Sequence, residues 1–172
     1  MAVDSGHFQG YPSMYLAVPD ARGFVFPNAF QAVGLGLGAA IGAAVGRPDR
    51  LAVAALGDGG TMMALAEIET AVRYGLGMAV VIYDDAAYGA EVHHFGPQGH
   101  AVDLTQFPDA DFAAIGRGMG ADGITVRAVE DLAPLGAWLD RRVAGESRPI
   151  VIDAKVNPRT AAAWLEEAFR AH

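Results

Sequence analysis

The stretch GDGGTMMALAEIETAVRYGLGMAVVIYDD, Gly57 to Asp85, constrains this chain more than any other. An apolar run, RLAVAAL (Arg50 to Leu56), ends on Gly57-Asp58 and two more glycines. An amphipathic segment follows, with Met63, Leu65, Ile68 and Val72 near one helical face. A second apolar run, MAVVIY (Met78 to Tyr83), then ends on Asp84-Asp85. Continuous rather than alternating apolar runs are strands covered on both faces, the habit of a parallel sheet. A strand–helix–strand unit of this kind crosses over with one hand and brings both strand ends to the same edge. Open α/β sheets bind their ligands at that carboxyl edge. The spacing therefore gathers carboxylates beside the backbone N–H groups of Gly59 and Gly60, which suit an anion such as phosphate. Acids next to an anion site imply a cation between them: Mg²⁺ first, with Ca²⁺ or Mn²⁺ as alternatives. The plainer reading of the same residues is that Asp58 caps a helix and Asp84-Asp85 is a solvated turn.

The rest of the chain extends the alternation. MAVD predicts a first strand, and GFVFPN a short extended piece broken by Pro27. Ala29 to Gly46 and Thr61 to Tyr74 read as helices. Ala86 to Gln106, rich in Gly, His and Pro, reads as a loop. A helix starts at Asp109, where an acid suits an N-terminus. GITVR and RPIVIDAKV read as strands. VEDLAPLGAWLDRRV and RTAAAWLEEAFRAH read as helices. The pattern predicts an α/β fold, a doubly wound, mainly parallel sheet with helices on both faces, as one domain over residues 1–172.

Composition narrows the function. The net charge is −8, Lys155 is the only lysine among 12 basic residues, and no basic run appears. Nucleic acid is thus an unsuitable partner. With zero cysteines there is neither a disulfide nor thiol chemistry, which fits a cytoplasmic location. The start MAVDSGHFQG lacks the apolar core of a signal peptide. Ala29 to Gly46 is uncharged over 18 residues, but its Ala and Gly content points to a closely packed helix rather than a membrane span.

GDG, followed by an acidic pair one helix later, resembles the thiamine diphosphate motif. AVGLGLGAAIGAAVG and RPIVIDAKV are also similar to segments of the C-terminal, diphosphate-binding domain of the acetolactate synthase and benzoylformate decarboxylase group. The resemblance runs from the first residues to the last. It implies that thiamine diphosphate binds through Mg²⁺ held by the Asp58 and Asp85 side chains and the Ala87 carbonyl. It places Gly57, Gly59, Gly60 and Thr61 at the diphosphate, with His7, Phe8, Tyr88 and Gly89 around it. Val33 would support the bent cofactor, and the Gln31 backbone would meet the aminopyrimidine. Three features depart from the family. Asp84-Asp85 replaces an amide-containing pair, so an extra carboxylate repels diphosphate unless a cation or donors offset it. Val33 is smaller than the usual residue, and Gln31 stands where glycine is common. The resemblance also implies a 2-oxo acid substrate for a decarboxylase or carboligase (a lyase or transferase). The activating glutamate belongs to a separate pyrimidine-binding domain or subunit, for which this chain has no room. The chain alone is then expected to be inactive and to form homo-oligomers. Glu67 and Glu69 read as a solvated helix face.

Two rival readings remain open on the residues. Gly34-x-Gly36-x-x-Ala39 mimics a dinucleotide fingerprint, with Asp58 as a ribose-binding acid of an NAD-dependent oxidoreductase. A non-catalytic interaction module could also keep this fold. His93, His94 and His100 read as a solvated loop, with no acid at zinc-ligand spacing.

Overall fold

The computed structural model describes residues 1–27 and 32–170. Five strands form one sheet: β1 (Ala2–Val3), β2 (Val53–Gly57), β3 (Ala79–Asp84), β4 (Asp122–Val126) and β5 (Ile150–Lys155). Their order across the sheet is β1-β2-β3-β5-β4, and every pairing is parallel. The helices are α1 (Gly10–Tyr15), α2 (Gly36–Gly46), α3 (Asp58–Met63), α4 (Glu67–Arg73), α5 (Gly89–Phe95), α6 (Phe112–Gly118), α7 (Ala133–Val143) and α8 (Ala163–Arg170).

The two-residue period of the strands divides the core in two. Ala54, Leu56, Val80, Ile82 and Val151 meet Leu37 and Ala40 of α2, Ile68 and Ala71 of α4, and Phe112 of α6. On the other face, Ala79, Ile150 and Ile152 meet Trp138 of α7, while Val3 and Ala55 meet Phe8. The Trp138 indole N–H donates to the Arg148 carbonyl at 3.0 Å, so the buried ring keeps its polar edge satisfied. Helices on both faces of a parallel sheet make this the doubly wound class that the apolar runs predict.

Local boundaries shift where packing overrides periodicity. The first residues of the helix expected from Ala29, up to Gln31, lie outside the described residues; α2 begins at Gly36, after Gly34 turns the chain with φ +91°. The helix expected over Thr61 to Tyr74 is two, α3 and α4, broken at Ala64–Ala66 without a Gly or Pro to mark it. The stretch expected as loop holds α5. Tyr88 at its start packs edge-on against Phe107, ring centroids 4.7 Å apart, and its N–H donates to the Thr105 carbonyl. The helix placed at Asp109 starts at Phe112 instead, capped by the Asp111 side chain, which accepts from the Ala114 N–H at 2.8 Å. Pro134 sits in the first turn of α7, where its missing N–H costs nothing. Among the described residues no helix is long and apolar enough to cross a membrane.

Trp138 is the buried residue of α7 at the centre of the second core layer, with Leu135 packed beside it. Trp138→Ala is expected to cost about 3–5 kcal/mol in denaturant unfolding, whereas Val143→Ala, at an 85% exposed site, should change stability by less than about 0.5 kcal/mol.

Candidate functional site

Parallel register sets Gly57 of β2 opposite Tyr83 of β3, so Asp58 and Asp84 leave the sheet at the same edge. Asp58 opens α3 and is buried at 2% exposure. Its Oδ2 accepts the Ala87 N–H at 3.0 Å, which ties the turn after β2 to the turn after β3. Asp85 lies against Gly89: a Cβ there would come within 2.2 Å of Asp85 Oδ2. Gly59 is confined in the same way by the Tyr88 ring, at 2.3 Å from a Cβ, and Gly60 by Asp4 Oδ2, at 2.5 Å. Glycine is what lets three elements close on this point.

These residues open onto a cavity of about 640 Å³. Of the residues singled out from the sequence, His7, Phe8, Val33, Gly57, Asp58, Gly59, Gly60, Asp85, Ala87, Tyr88 and Gly89 all line it. Thr61 does not. It is fully buried, and its hydroxyl donates to the Gly57 carbonyl at 2.8 Å. Gln31 lies outside the described residues. Glu69 pairs with Arg73 at 3.1 Å on the exposed face of α4, as a solvated helix face should. His93 stacks on His7, ring centroids 4.6 Å apart, which places it nearer the site than a solvated loop.

Burial drives the electrostatics. It pushes the Asp58 carboxyl up to about 7, with the nearby Asp85 charge adding to the shift. Burial likewise pushes Asp85 up to about 6. His7 moves the other way, to about 4, through burial first and the neighbouring His93 second. His7 Nε2 accepts the Ala162 N–H at 2.8 Å, so the neutral ring carries its proton on Nδ1, which lies 3.9 Å from Asp85 Oδ2. Two desolvated carboxylates that resist ionisation fit a bound cation well. No cluster of three or more His, Cys, Asp or Glu side chains placed to hold a metal occurs among the described residues. A cation here therefore needs backbone oxygen too. The Ala87 carbonyl is suited to that: the bridge to Gln106 uses the Ala86 carbonyl and the Tyr88 N–H on either side of it. Carboxylate and carbonyl oxygens are the donors of Mg²⁺ and Ca²⁺.

The family described as "Thiamine pyrophosphate enzyme, C-terminal TPP binding domain" matches residues 4–154. The chain belongs to this family. It is 33% identical over 138 residues to a sulfoacetaldehyde acetyltransferase of Alcaligenes xylosoxydans xylosoxydans, across 78% of this chain and 22% of that protein. It is 31% identical over 134 residues to a catabolic acetolactate synthase of Raoultella terrigena, across 78% of this chain and 24% of that protein. A thiamine diphosphate-dependent 4-hydroxybenzoylformate decarboxylase of Rhodococcus jostii RHA1 shares the fold, with TM-score 0.77 and 23% identity over 91% of this chain and 29% of that one. This TPP-binding domain thus spans about a quarter of the length of the curated relatives it matches. Membership leaves the dinucleotide reading of Gly34 to Ala39 without support.

Sequence reasoning missed three parts of the site. Asp4, 1% exposed, accepts the Gly34 N–H at 2.9 Å and braces the turn into α2 beneath Gly60. The wall formed by Asn157, Thr160, Trp164 and Leu165 comes from the C-terminal segment. The third part is the setting of Asp84, which does not line the cavity at all. Its Oδ2 accepts from Lys155 Nζ at 2.5 Å, and Lys155 also reaches Asp109 at 2.6 Å and Asp153 at 3.0 Å. Burial opposes the Lys155 charge, and hydrogen bonds to Asp109, Asp84 and Asp153 outweigh it, holding its pKa above the usual lysine value. The extra carboxylate of the acidic pair is thereby offset by the chain's one lysine. The signal available in sequence was that lone lysine at the end of a strand.

The sign of the Asp58 shift gives a pH test. A carboxyl whose pKa rises on folding binds more protons folded than unfolded, so stability falls as pH rises from about 4 to about 7. His7 acts in the opposite sense over about pH 4 to 6.5, so the comparison must isolate Asp58. Asp58→Asn should gain melting temperature relative to the parent chain, without added metal, as pH goes from 4 to 7. A constant difference across that range would refute the buried, ionisation-resistant carboxyl.

Proposed function

We propose that this domain binds the diphosphate end of thiamine diphosphate through a divalent cation, with Asp58, Asp85 and the Ala87 carbonyl as protein ligands. The observation that supports it most is that buried Asp58 and half-buried Asp85 line one cavity beside Gly59 and Gly60, in a chain of this family. Mg²⁺ is the first choice, and Ca²⁺ or Mn²⁺ offer the same oxygen preference. Gly57, Gly59 and Gly60 line the diphosphate end, with Phe8, Tyr88 and Gly89 enclosing it. His7 can donate only from Nδ1, since Nε2 is engaged by Ala162. Val33 touches the edge of Gly60, within 3.2 Å of a Cβ built there, and supports the bend of the cofactor. Thr61 acts by fixing the turn through Gly57.

When bound, thiamine diphosphate supplies a nucleophilic carbon and an electron sink for cleavage beside a carbonyl. The relatives' names, acetolactate synthase and 4-hydroxybenzoylformate decarboxylase among them, favour a 2-oxo acid substrate and decarboxylation or carboligation. The chain's own residues position the cofactor and exclude water from its anionic end. The pyrimidine end and its activating glutamate belong to a separate domain or subunit of the same enzyme. A non-catalytic module of this fold would have no use for two carboxylates facing the cavity beside the glycines, and Asp58 and Asp85 are both in place.

Calorimetry of thiamine diphosphate with Mg²⁺ tests the ligand set. Asp58→Ala should abolish the Mg²⁺-dependent part of binding, because the anion loses its bridging cation; unchanged affinity would refute the assignment.

The chain of 172 residues on its own should bind the cofactor weakly, since only one end of it is held. It should read as blank in a pyruvate decarboxylation assay. Leu35, Met62 and Met63, at 48%, 53% and 58% exposure, leave apolar surface beside the site, so light scattering should show dimers or larger species. Turnover by this chain alone would overturn the division of labour between two domains.

A further inference from the structure

Ala86 is the one non-glycine residue with positive φ among the described residues, at +55°. It stands between Asp85 and Ala87, two of the proposed cation ligands. Left-handed backbone is unfavourable for alanine, and such conformations persist when the surroundings enforce them. Here the enforcing contacts can be traced. The Ala86 N–H donates to Asp84 Oδ1 at 3.0 Å. The Ala86 carbonyl accepts from the Phe107 N–H at 2.7 Å. The other Asp84 oxygen accepts from Lys155 Nζ at 2.5 Å, and Lys155 is itself fixed by Asp109, Asp153 and the Ala110 carbonyl. Directly after Ala86, the Ala87 N–H meets Asp58 Oδ2 at 3.0 Å.

We propose that Asp84 and Lys155 form a brace that holds Ala86 in its left-handed conformation and so aims Ala87 at Asp58. Asp84 is a positioning residue, facing away from the cavity, and Lys155 is the counter-charge that fixes its orientation. A carboxylate suits this task because it has two acceptor oxygens for two donors. An amide at position 84 would offer one acceptor and would turn its NH₂ toward either the Ala86 N–H or Lys155. The acidic pair is then one unit with two duties: Asp85 toward the cavity and Asp84 toward the strand behind it. The proposal rests on the cofactor reading for the purpose of the aim, but the geometry of the brace stands in the free domain.

The test follows amide hydrogen exchange at Ala86 and Ala87 by NMR in the cofactor-free chain, and thiamine diphosphate binding with Mg²⁺ by calorimetry. Lys155→Met should speed exchange at both amides by at least about tenfold, since a buried pair is broken, and weaken binding by a similar factor. Lys155→Arg, which keeps the charge, should restore most of both. Adding Ala86→Gly to Lys155→Met should recover at least about half of the loss on a logarithmic scale, because glycine adopts the left-handed region freely. Should Lys155→Met not fold, Asp84→Ala replaces it, since Lys155 keeps Asp109 and Asp153. A variant that lowers the melting temperature but leaves exchange at Ala86 and Ala87 unchanged would overturn the brace, and so would an Ala86→Gly addition that recovers nothing. If the parent chain fails to bind the cofactor, the cofactor reading fails, and the exchange results still decide the brace.

Discussion

The hydrogen bond from the Ala87 N–H to the Asp58 carboxylate holds the site together. At 3.0 Å and buried, it joins the turns that follow two neighbouring parallel strands. It is the hydrogen bond between the Gly59–Gly60 turn and the Asp85 turn, and the Tyr88 ring against Gly59 adds a packing contact. Everything behind it serves that meeting. β2 and β3 set the register, Asp4 and Tyr88 press the glycines into place, and Phe107 draws the later turn inward. Parallel strands alone bring loops to one edge, but a particular pair of backbone atoms meets only when both turns are held.

The treatment of buried acids separates structure from function. Asp4, Asp58, Asp84 and Asp153 are all below 4% exposure, and burying a charge is costly unless it is paired. Burial raises the Asp4 carboxyl, and backbone N–H groups at the start of α2 offset part of that. Asp84 is answered by Lys155 and the Ala86 N–H. Asp153 receives the Phe112 N–H and Lys155, although burial still pushes its carboxyl up to about 6. Asp58 and Asp85 receive backbone hydrogen bonds, burial raises both, and the Asp85 charge adds to the shift of Asp58. What sets Asp58 and Asp85 apart is that they face the cavity, where an external cation can complete the balance.

The C-terminal segment adds a wall that a simple two-turn site would lack. Ala162 donates to His7 from a region far along the chain, and Trp164 packs so closely on Gly10 that a Cβ there would come within 2.5 Å of its indole nitrogen. The cavity is therefore closed by the two ends of the sequence as well as by its middle.

The sequence by itself determined the sheet class, because continuous apolar runs such as MAVVIY are stable only when covered on both faces. It also set Asp58 and the Asp84-Asp85 pair at one edge, because a strand–helix–strand unit leaves both strand ends there. It could not show the break at Ala64–Ala66 or the helix at Gly89–Phe95, since neither carries a breaker or a period of its own. The true helix cap at Asp111, two residues past the acid that looked suitable, was decided by Lys155 and Arg127 claiming Asp109. Asp4, the C-terminal wall and the split roles of Asp84 and Asp85 came from tertiary structure alone. Partners distant in the chain settle which way a side chain faces. Asp84 ends β3 and Asp85 opens the turn after it, and only the packed structure says which of the two meets the lysine and which the cavity.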